Sequence, residues 1–314
     1  WLVLIHAGHS LYHPAANLGW LGGAAVLVVH LLALRRLADL LPSQAASVAH
    51  VLGCWLLIAV LALELRYLLL SLADHYNAWR WLGWALLPTA YLWGMAQARR
   101  LPWPVVAFER EYRLWAAAPL AASMLVWFWL ANANSAGDSD PLPYLPLLNP
   151  LELGLLLCLG ALVVWGRFAL PRFGLEPARA LQITQCVAGL SLFALLTVMV
   201  MRTAHHWGGV AWSSPALFDS MLVQAGLSIV WTLIALALML FGHLRARREL
   251  WLVGAALIAL VVAKLFFIEL GNRGGLERIV SFIGVGVLLL VVGYFAPLPP
   301  RKTDEPPANK ESLS

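Results

Sequence analysis

The chain has 314 residues, of which 61% are hydrophobic and 12% are charged, and its mean hydropathy is +0.79. Soluble domains carry about 25% charged residues, so this composition excludes a water-soluble enzyme. With 16 Trp and 3 Cys it also excludes a disordered chain and a disulfide scaffold. The net charge of +5 comes from short basic clusters between apolar runs, which favours membrane lipids and not nucleic acid as partners.

A helix needs roughly 20 mostly apolar residues to cross about 30 Å of hydrocarbon. Nine such runs occur, near residues 18–34, 45–71, 79–98, 114–131, 151–170, 181–201, 217–242, 250–270 and 279–296. They predict an all-α, polytopic integral membrane helical bundle of about nine transmembrane helices, forming one multi-helix domain over residues 1–296. The Pro-rich, charged segment 297–314 predicts a disordered cytoplasmic tail. Because the chain opens at Trp1 in apolar sequence, we expect it to be the C-terminal part of a longer chain.

The basic residues predict the orientation of the bundle. Of the 21 Lys and Arg, fifteen fall in one set of loops, four in the other set and two within apolar runs. Cytoplasmic loops carry the excess of Lys and Arg. We therefore expect the N-terminus outside and the C-terminus in the cytoplasm, in a multi-pass membrane protein.

Ionisable residues inside the predicted helices mark candidate functional positions. A charge in hydrocarbon costs at least about 2.5 kcal/mol on insertion scales, so such groups are usually paired, line water or serve function. The seven charged residues of this kind all fall in the predicted outer half: Glu64, Arg66, Glu152, Arg202, Asp219, Lys264 and Glu269. This one-sided placement predicts a polar vestibule open to the periplasm, with snorkelling to the interface as the alternative. The candidate substrate-binding residues are Arg202, Lys264, Glu64, Arg66, Asp219, Glu269 and Arg278.

Lys264 lies about five residues inside the outer end of its predicted helix, and Glu269 follows five positions later. That separation is about 140° around a helix, so the two side chains cannot simply pair. We expect Lys264 to contact either a polar vestibule or one of the acids Glu64, Glu152 and Asp219. For Glu269 the expected partners are Arg273 and Arg202.

Arg202, His205 and His206 form the pattern R-x-x-H-H. A continuing helix places both histidines on the face of the arginine. Arginine binds phosphate or carboxylate bidentately and histidine titrates near neutrality, so His205 and His206 are candidate catalytic acid–base groups beside an anion-binding Arg202. The alternative is a structural cap in which one histidine pairs with Asp219.

The segment His6, His9 and His13 has ligand-like spacing and, with His75, His205 or His206, would complete a metal site. It lacks an accompanying motif, so an outer-surface helical turn is favoured and we predict neither a metal nor a cofactor. Fingerprints for dinucleotides, phosphate loops and serine hydrolases are also missing from the sequence. Whether the protein is an enzyme therefore stays open.

The last predicted helices resemble a known family. The residues that carry the resemblance are Arg202-Thr-Ala-His205-His206-Trp207, Gln224, Trp231, Lys264-Leu-Phe-Phe-Ile-Glu269-Leu and Leu276-Glu-Arg278-Ile-Val-Ser281-Phe-Ile-Gly284. They resemble the bacterial membrane-protein family called domain of unknown function 2339, most specifically over residues 202–296. The family more often has Asp where Glu269 stands. The resemblance implies an inner-membrane protein and brings no activity with it.

Three functions fit these observations. The first is a periplasm-facing polar site that binds or modifies an anionic lipid-linked or glycan substrate of the cell envelope. The second is a non-catalytic membrane scaffold or assembly subunit, whose outer charges are interhelical salt bridges. The third is an ion- or proton-coupled transporter in which Glu64, Lys264 and Glu269 exchange partners.

Overall fold

The computed structural model describes residues 13–37, 40–72, 77–97 and 103–265, together with Val287 and Leu290. Over these residues the chain is all-helical, without strands, which confirms the predicted fold class there. The α-helices are α1 Gly19–Arg36, α2 Ser43–Leu72, α3 Asn77–Gln97, α4 Ala117–Asn134, α5 Pro150–Ala169, α6 Pro177–Gly208, α7 Ser214–Asp219, α8 Met221–Leu244 and α9 Arg248–Lys264.

Six helical segments of the described residues are long and apolar enough to cross a membrane: Gly19–Arg36, Ser43–Ser71, Glu111–Asn134, Pro150–Phe173, Pro177–Gly208 and Met221–Leu244. The chain is thus a multi-pass helical membrane protein. The predicted run 250–270 corresponds to α9, whose described part has 17 residues. The predicted run 279–296 and the tail 297–314 lie outside the described residues.

One predicted run is interrupted in the structure. The run 217–242 was expected to be one helix, but the chain forms the short helix α7 and begins again at Met221. Ser220 lies between the two helices in extended conformation, and its hydroxyl accepts a hydrogen bond from the Val223 amide at 3.4 Å. A serine that caps a helix in this way satisfies a backbone donor that the first turn leaves unpaired.

The chain divides into two compact units, Trp1–Trp212 and Ser213–Ser314. In the first unit, helix α5 packs against α3, α4 and α6. The core there includes Phe128, Leu155 and Leu195, none of which is exposed. In the second unit, α8 and α9 pack through Ala235, Met239 and Ile258.

A π-helical turn, Glu111–Trp115, precedes α4. The Ala116 amide donates to the Glu111 carbonyl at 2.7 Å, five residues back. Such turns free backbone acceptors, and here side chains of three other helices use them. Tyr91, Trp55 and Trp165 donate to the carbonyls of Tyr112, Ala116 and Arg113 at 2.6, 3.0 and 3.0 Å. These bonds fix α4 against its neighbours and so position the connection that follows its other end.

Candidate functional site

A fully buried arginine joins α4, α5 and α6. Arg202 of α6 has no solvent exposure. Its Nε donates to the Ser135 carbonyl at 3.0 Å, and its Nη2 donates to the carbonyl and the side-chain oxygen of Asn132 at 2.7 and 3.2 Å. Its Nη1 lies 3.5 Å from Oε1 of Glu152, which is also fully buried. Every guanidinium nitrogen therefore has a protein partner.

Glu152, in the first turn of α5, has partners on both oxygens. The Tyr144 hydroxyl donates to Oε1 at 2.7 Å, and the Leu147 amide donates to Oε2 at 2.6 Å. Burial, and next the charge of Glu152, raise the pKa of Tyr144 above its usual range. The phenol is therefore held in its neutral, donating form. We call Arg202, Glu152, Tyr144, Asn132 and Ser135 the Arg202 network.

In the connection between α4 and α5, four consecutive backbone carbonyls each accept a hydrogen bond from a different donor. Ser135 accepts from Arg202 at 3.0 Å, and Ala136 accepts from His206 Nε2 at 2.9 Å. Gly137 accepts from the Asn149 side chain at 2.9 Å, and Asp138 accepts from the Ala78 amide at 3.1 Å. Helices α3, α5 and α6 thus fix this stretch, which we call the clamped segment, residues 135–138.

Three side chains with metal-ligating atoms meet at the end of α6. Asp138, His205 and His206 each offer one such atom, and these atoms lie within 4.8 Å of one another. All three residues are half-buried, and we call them the His–Asp cluster. His206 Nε2 lies 3.8 Å from Asp138 Oδ1, and the two imidazole rings are 4.8 Å apart at their centroids.

Both imidazoles of the cluster are held in place. His205 Nδ1 lies 2.6 Å from the Val210 carbonyl, in the turn that follows α6. The ring of His206 stacks on Tyr144 with centroids 4.4 Å apart and planes 12° apart. Since Tyr144 also binds Glu152, the Arg202 network and the His–Asp cluster share this side chain.

The predicted run 181–201 ends before the R-x-x-H-H pattern, whereas α6 continues through the pattern to Gly208. Arg202 and His206 bind the consecutive carbonyls of Ser135 and Ala136 from that helix. The geometry gives Arg202 an internal role, because a substrate anion would reach it only by displacing Glu152. Substrate binding by Arg202 and catalysis by the histidines stay predictions. Asp219 is exposed at the end of α7, in the second unit, and its pairing with a histidine stays a prediction.

Glu64 and Arg66 of α2 have partners other than the residues of the His–Asp cluster. Glu64 Oε2 lies 3.0 Å from His13 Nδ1, and its other oxygen accepts from the Ala15 amide. The guanidinium of Arg66 lies 5.1 Å from the centre of the Trp84 ring. Of the predicted metal-ligating histidines His6, His9 and His13, only His13 is described, and it binds Glu64.

In the second unit, Lys264 is buried at the end of the described part of α9. Its Nζ donates to the Gln224 carbonyl at 3.0 Å and to the Ser228 hydroxyl at 2.8 Å, both on α8. The expected contact with an acid stays a prediction. Glu269 and Arg278 lie outside the described residues, as does His75.

Sequence reasoning missed Asp138, Tyr144 and the clamped segment. The sequence shows residues 132–150 only as an acidic connection between two predicted helices. One available signal was Asn149 before Pro150, a typical start of a helix, which predicts an anchored end of the loop. No local pattern indicates that His206 binds a carbonyl 70 residues away.

These helices and contacts define a multi-pass membrane protein with a polar site at the end of a long apolar helix. The chain belongs to the family described as predicted membrane protein (DUF2339), whose sequence model matches residues 1–299. The resemblance seen in the last helices is thereby confirmed over nearly the whole chain. No curated protein and no solved structure matches the sequence.

Proposed function

We propose that the protein binds the anionic head group of a lipid-linked or glycan substrate of the cell envelope, at the periplasmic face of the bacterial inner membrane. The observation that carries this proposal is the pair His205 and His206. These half-buried rings stand 4.8 Å apart in the last turn of the 32-residue apolar helix α6. Ionisable residues at such positions are expensive and mark functional sites by default.

The buried contacts around His205 and His206 favour a binding site over a purely structural role at the end of the helix. A buried ion pair such as that of Arg202 and Glu152 adds little stability compared with apolar residues of the same volume. Stability alone therefore does not explain the buried ion pair. Its position is explained if the pair holds the clamped segment beside His206. Binding sites need this kind of fixed supporting shell.

An aromatic rim favours access from the lipid side. Trp207 is 63% exposed, and its ring nitrogen donates to the Tyr144 carbonyl at 3.2 Å. Trp212 lies 5.8 Å from the ring of His205. Tryptophan is enriched where one end of a side chain meets hydrocarbon and the other meets water. A head group entering beside these rings would meet the histidines at the membrane boundary.

The test is retention of native lipid. The full chain and the variants His205→Ala and His206→Ala are purified in mild detergent, and co-purified lipids and glycans are measured by mass spectrometry. We expect one class of phosphate- or carboxylate-bearing molecule with the native protein and a loss of about tenfold or more in the variants. His243→Ala is the matched control, since His243 is an exposed histidine in the last turn of α8. Equal retention by all four proteins would refute the proposal.

The scaffold alternative is supported by the internal partners of Arg202, which leave its charge engaged within the protein. It predicts equal lipid retention in every variant, together with loss of a co-purifying subunit when the Arg202 network is broken. The transport alternative is supported by the pair His13 and Glu64, at 3.0 Å. It predicts ion or proton flux in proteoliposomes that falls in Glu64→Gln.

A further inference from the structure

The charges of the His–Asp cluster do not by themselves suit an anionic head group. Arg202 is neutralised by Glu152, and the carboxylate of Asp138 stands beside His206, at 3.8 Å from its ring nitrogen. A carboxylate repels an anion, so Asp138 opposes the binding of a phosphate or carboxylate group beside His206. A cation bound between these side chains would offset that repulsion.

We propose that Asp138, His205 and His206 bind one divalent transition-metal ion of the Zn²⁺ class, whose open coordination position receives the head group. This inference rests on the proposed function for its substrate, although the metal site stands on its own geometry. Two imidazoles and one carboxylate are a donor set that suits Zn²⁺ and its neighbours, whereas Mg²⁺ and Ca²⁺ prefer oxygen donors alone.

The distances are compatible with a metal after small side-chain movements. The three ligand atoms lie within 4.8 Å of one another. Ligands about 2.0 to 2.1 Å from a tetrahedral Zn²⁺ are about 3.3 Å apart, so closure requires shifts of about 1 Å. Asp138 and His206 have side-chain exposures of 45% and 19%, which gives an ion a path from solvent and leaves room for a further ligand.

The hydrogen bonds of the two rings already resemble those of metal-bound histidines. The Val210 carbonyl lies 2.6 Å from Nδ1 of His205, and the Ala136 carbonyl lies 2.9 Å from Nε2 of His206. A carbonyl only accepts, so these nitrogens donate, which leaves Nε2 of His205 and Nδ1 of His206 as the nitrogens that would bind the ion. The 3.8 Å distance from His206 to Asp138 is measured from Nε2, the nitrogen that donates to Ala136. Metal-ligating histidines typically donate their second N–H to a carbonyl or carboxylate in this way.

The backbone on both sides of the cluster favours a cation as well. His205 and His206 lie in the last turn of α6, where the partial negative charge of the helix end stabilises positive charge. Asp138 is delivered by the clamped segment, whose carbonyls are bound by α3, α5 and α6. These bonds are made by backbone carbonyls and do not involve the Asp138 carboxylate. The carboxylate can therefore bind a metal while the backbone of the clamped segment stays in place.

The experiment measures metal binding by the full chain in detergent micelles. The protein is stripped with a chelator and titrated with Co²⁺ and with Zn²⁺; bound metal is measured by elemental analysis, and the ligand-field spectrum of Co²⁺ reports coordination. We expect Asp138→Asn, His205→Ala and His206→Ala each to lose one bound ion per chain or about tenfold or more in affinity. The controls Asp140→Asn, an exposed acid of the same loop, and His243→Ala should behave like the native protein.

Asp138→Asn keeps the experiment decisive if a histidine variant fails to fold. The asparagine is isosteric, and the Asp138 carbonyl keeps its bond to the Ala78 amide. Its folding is checked by monodisperse elution and by circular dichroism. Unchanged metal affinity and an unchanged Co²⁺ spectrum in folded Asp138→Asn would overturn the inference.

The two proposals fail in different ways. If the native protein retains its head group after metal is removed by chelation, the metal inference is wrong and the proposed function stands. If the His–Asp cluster binds Co²⁺ and the protein retains no lipid or glycan with or without metal, the metal inference stands and the proposed function is wrong.

Discussion

Arg202 and Glu152 form an ion pair in which neither side chain is exposed, with Nη1 and Oε1 3.5 Å apart. The pair joins the long apolar helix α6 to the first turn of α5. Because Arg202 also binds Ser135 and Asn132, the pair holds the end of α4 and the clamped segment in the same assembly. The histidines at the end of α6 therefore face a segment whose position depends on this pair.

Glu152→Gln should lower the free energy of unfolding by about 3 to 5 kcal/mol, because it leaves the buried guanidinium without a counter-charge. The double variant Arg202→Met with Glu152→Gln should lose clearly less than the sum of the two single variants. Unfolding in micelles, followed by tryptophan fluorescence, measures these differences. Arg80→Met, at an exposed arginine, is the control and should stay within about 0.5 kcal/mol of the native protein. Additive losses would contradict the pairing.

Much of the helical architecture was predictable because it depends on local composition. The run 151–170 was predicted, and α5 is Pro150–Ala169, because Pro150 and the basic residues after the run limit an apolar stretch of membrane length. The clustering of ionisable residues by depth also made Arg202, His205 and His206 candidate site residues, and their roles stay predictions.

The partners of those residues could not be predicted. Hydropathy and spacing report which residues share a helix face, whereas Ala136 and His206 meet across 70 positions. Glu152 was proposed as a partner for Lys264, and the structure pairs it with Arg202, since the packing of α5 on α6 decides which charges meet. Asp138 has no motif around it in the sequence, and its position beside His206 depends on the hydrogen bonds that hold the clamped segment.

Tyr144→Phe should lower the free energy of unfolding at pH 7 by about 1 to 3 kcal/mol, since Oε1 of Glu152 loses its 2.7 Å donor. Burial, followed by the charge of Glu152, raises the pKa of Tyr144 above its ordinary value of 10.0. A raised pKa means that the folded protein favours the neutral phenol, so this contribution is complete below pH 10 and is lost as the pH rises through the folded-state pKa.

The stability difference between the native protein and Tyr144→Phe is therefore expected to be constant up to about pH 10 and to shrink at higher pH. Unfolding titrations at a series of pH values measure it. Tyr67→Phe, at a residue that is 41% exposed, serves as the control at pH 7 and should change stability by less than about 0.5 kcal/mol. If the stability difference between the native protein and Tyr144→Phe grows above pH 10, the expected direction of the pH dependence is wrong.

Gly137→Ala tests whether the clamped segment needs its glycine. Gly137 has φ of +85°, and an added Cβ would lie 3.2 Å from Cδ of Arg202. A left-handed conformation costs a residue with a side chain about 1 to 2 kcal/mol, so stability should fall by at least that amount. Gly189→Ala is the control, because nothing lies within 4 Å of an added Cβ in this helical position. It should leave the unfolding free energy equal or raise it by up to about 1 kcal/mol.

The hydrogen bond from Lys264 to Ser228 gives the last prediction. Lys264 Nζ donates to the Ser228 hydroxyl at 2.8 Å, and that hydroxyl lies 3.1 Å from the Gln224 carbonyl of its own helix. Ser228→Ala deprives a buried ammonium of an acceptor and should cost about 1 to 3 kcal/mol of unfolding free energy. Lys264→Met should cost less, because Ser228 keeps its bond to Gln224.

A double-mutant cycle with Ser228→Ala and Lys264→Met should then show a coupling free energy of about 0.5 to 3 kcal/mol. Ser123→Ala, at an exposed helical serine with a bond to its own helix, is the matched control for loss of a hydroxyl and should couple to Lys264→Met by less than about 0.5 kcal/mol. Lys264 of α9 and Ser228 of α8 both lie in the second unit. The coupling free energy therefore measures one contact between these two helices. A coupling free energy of zero would mean that the lysine takes its stability from other groups than Ser228.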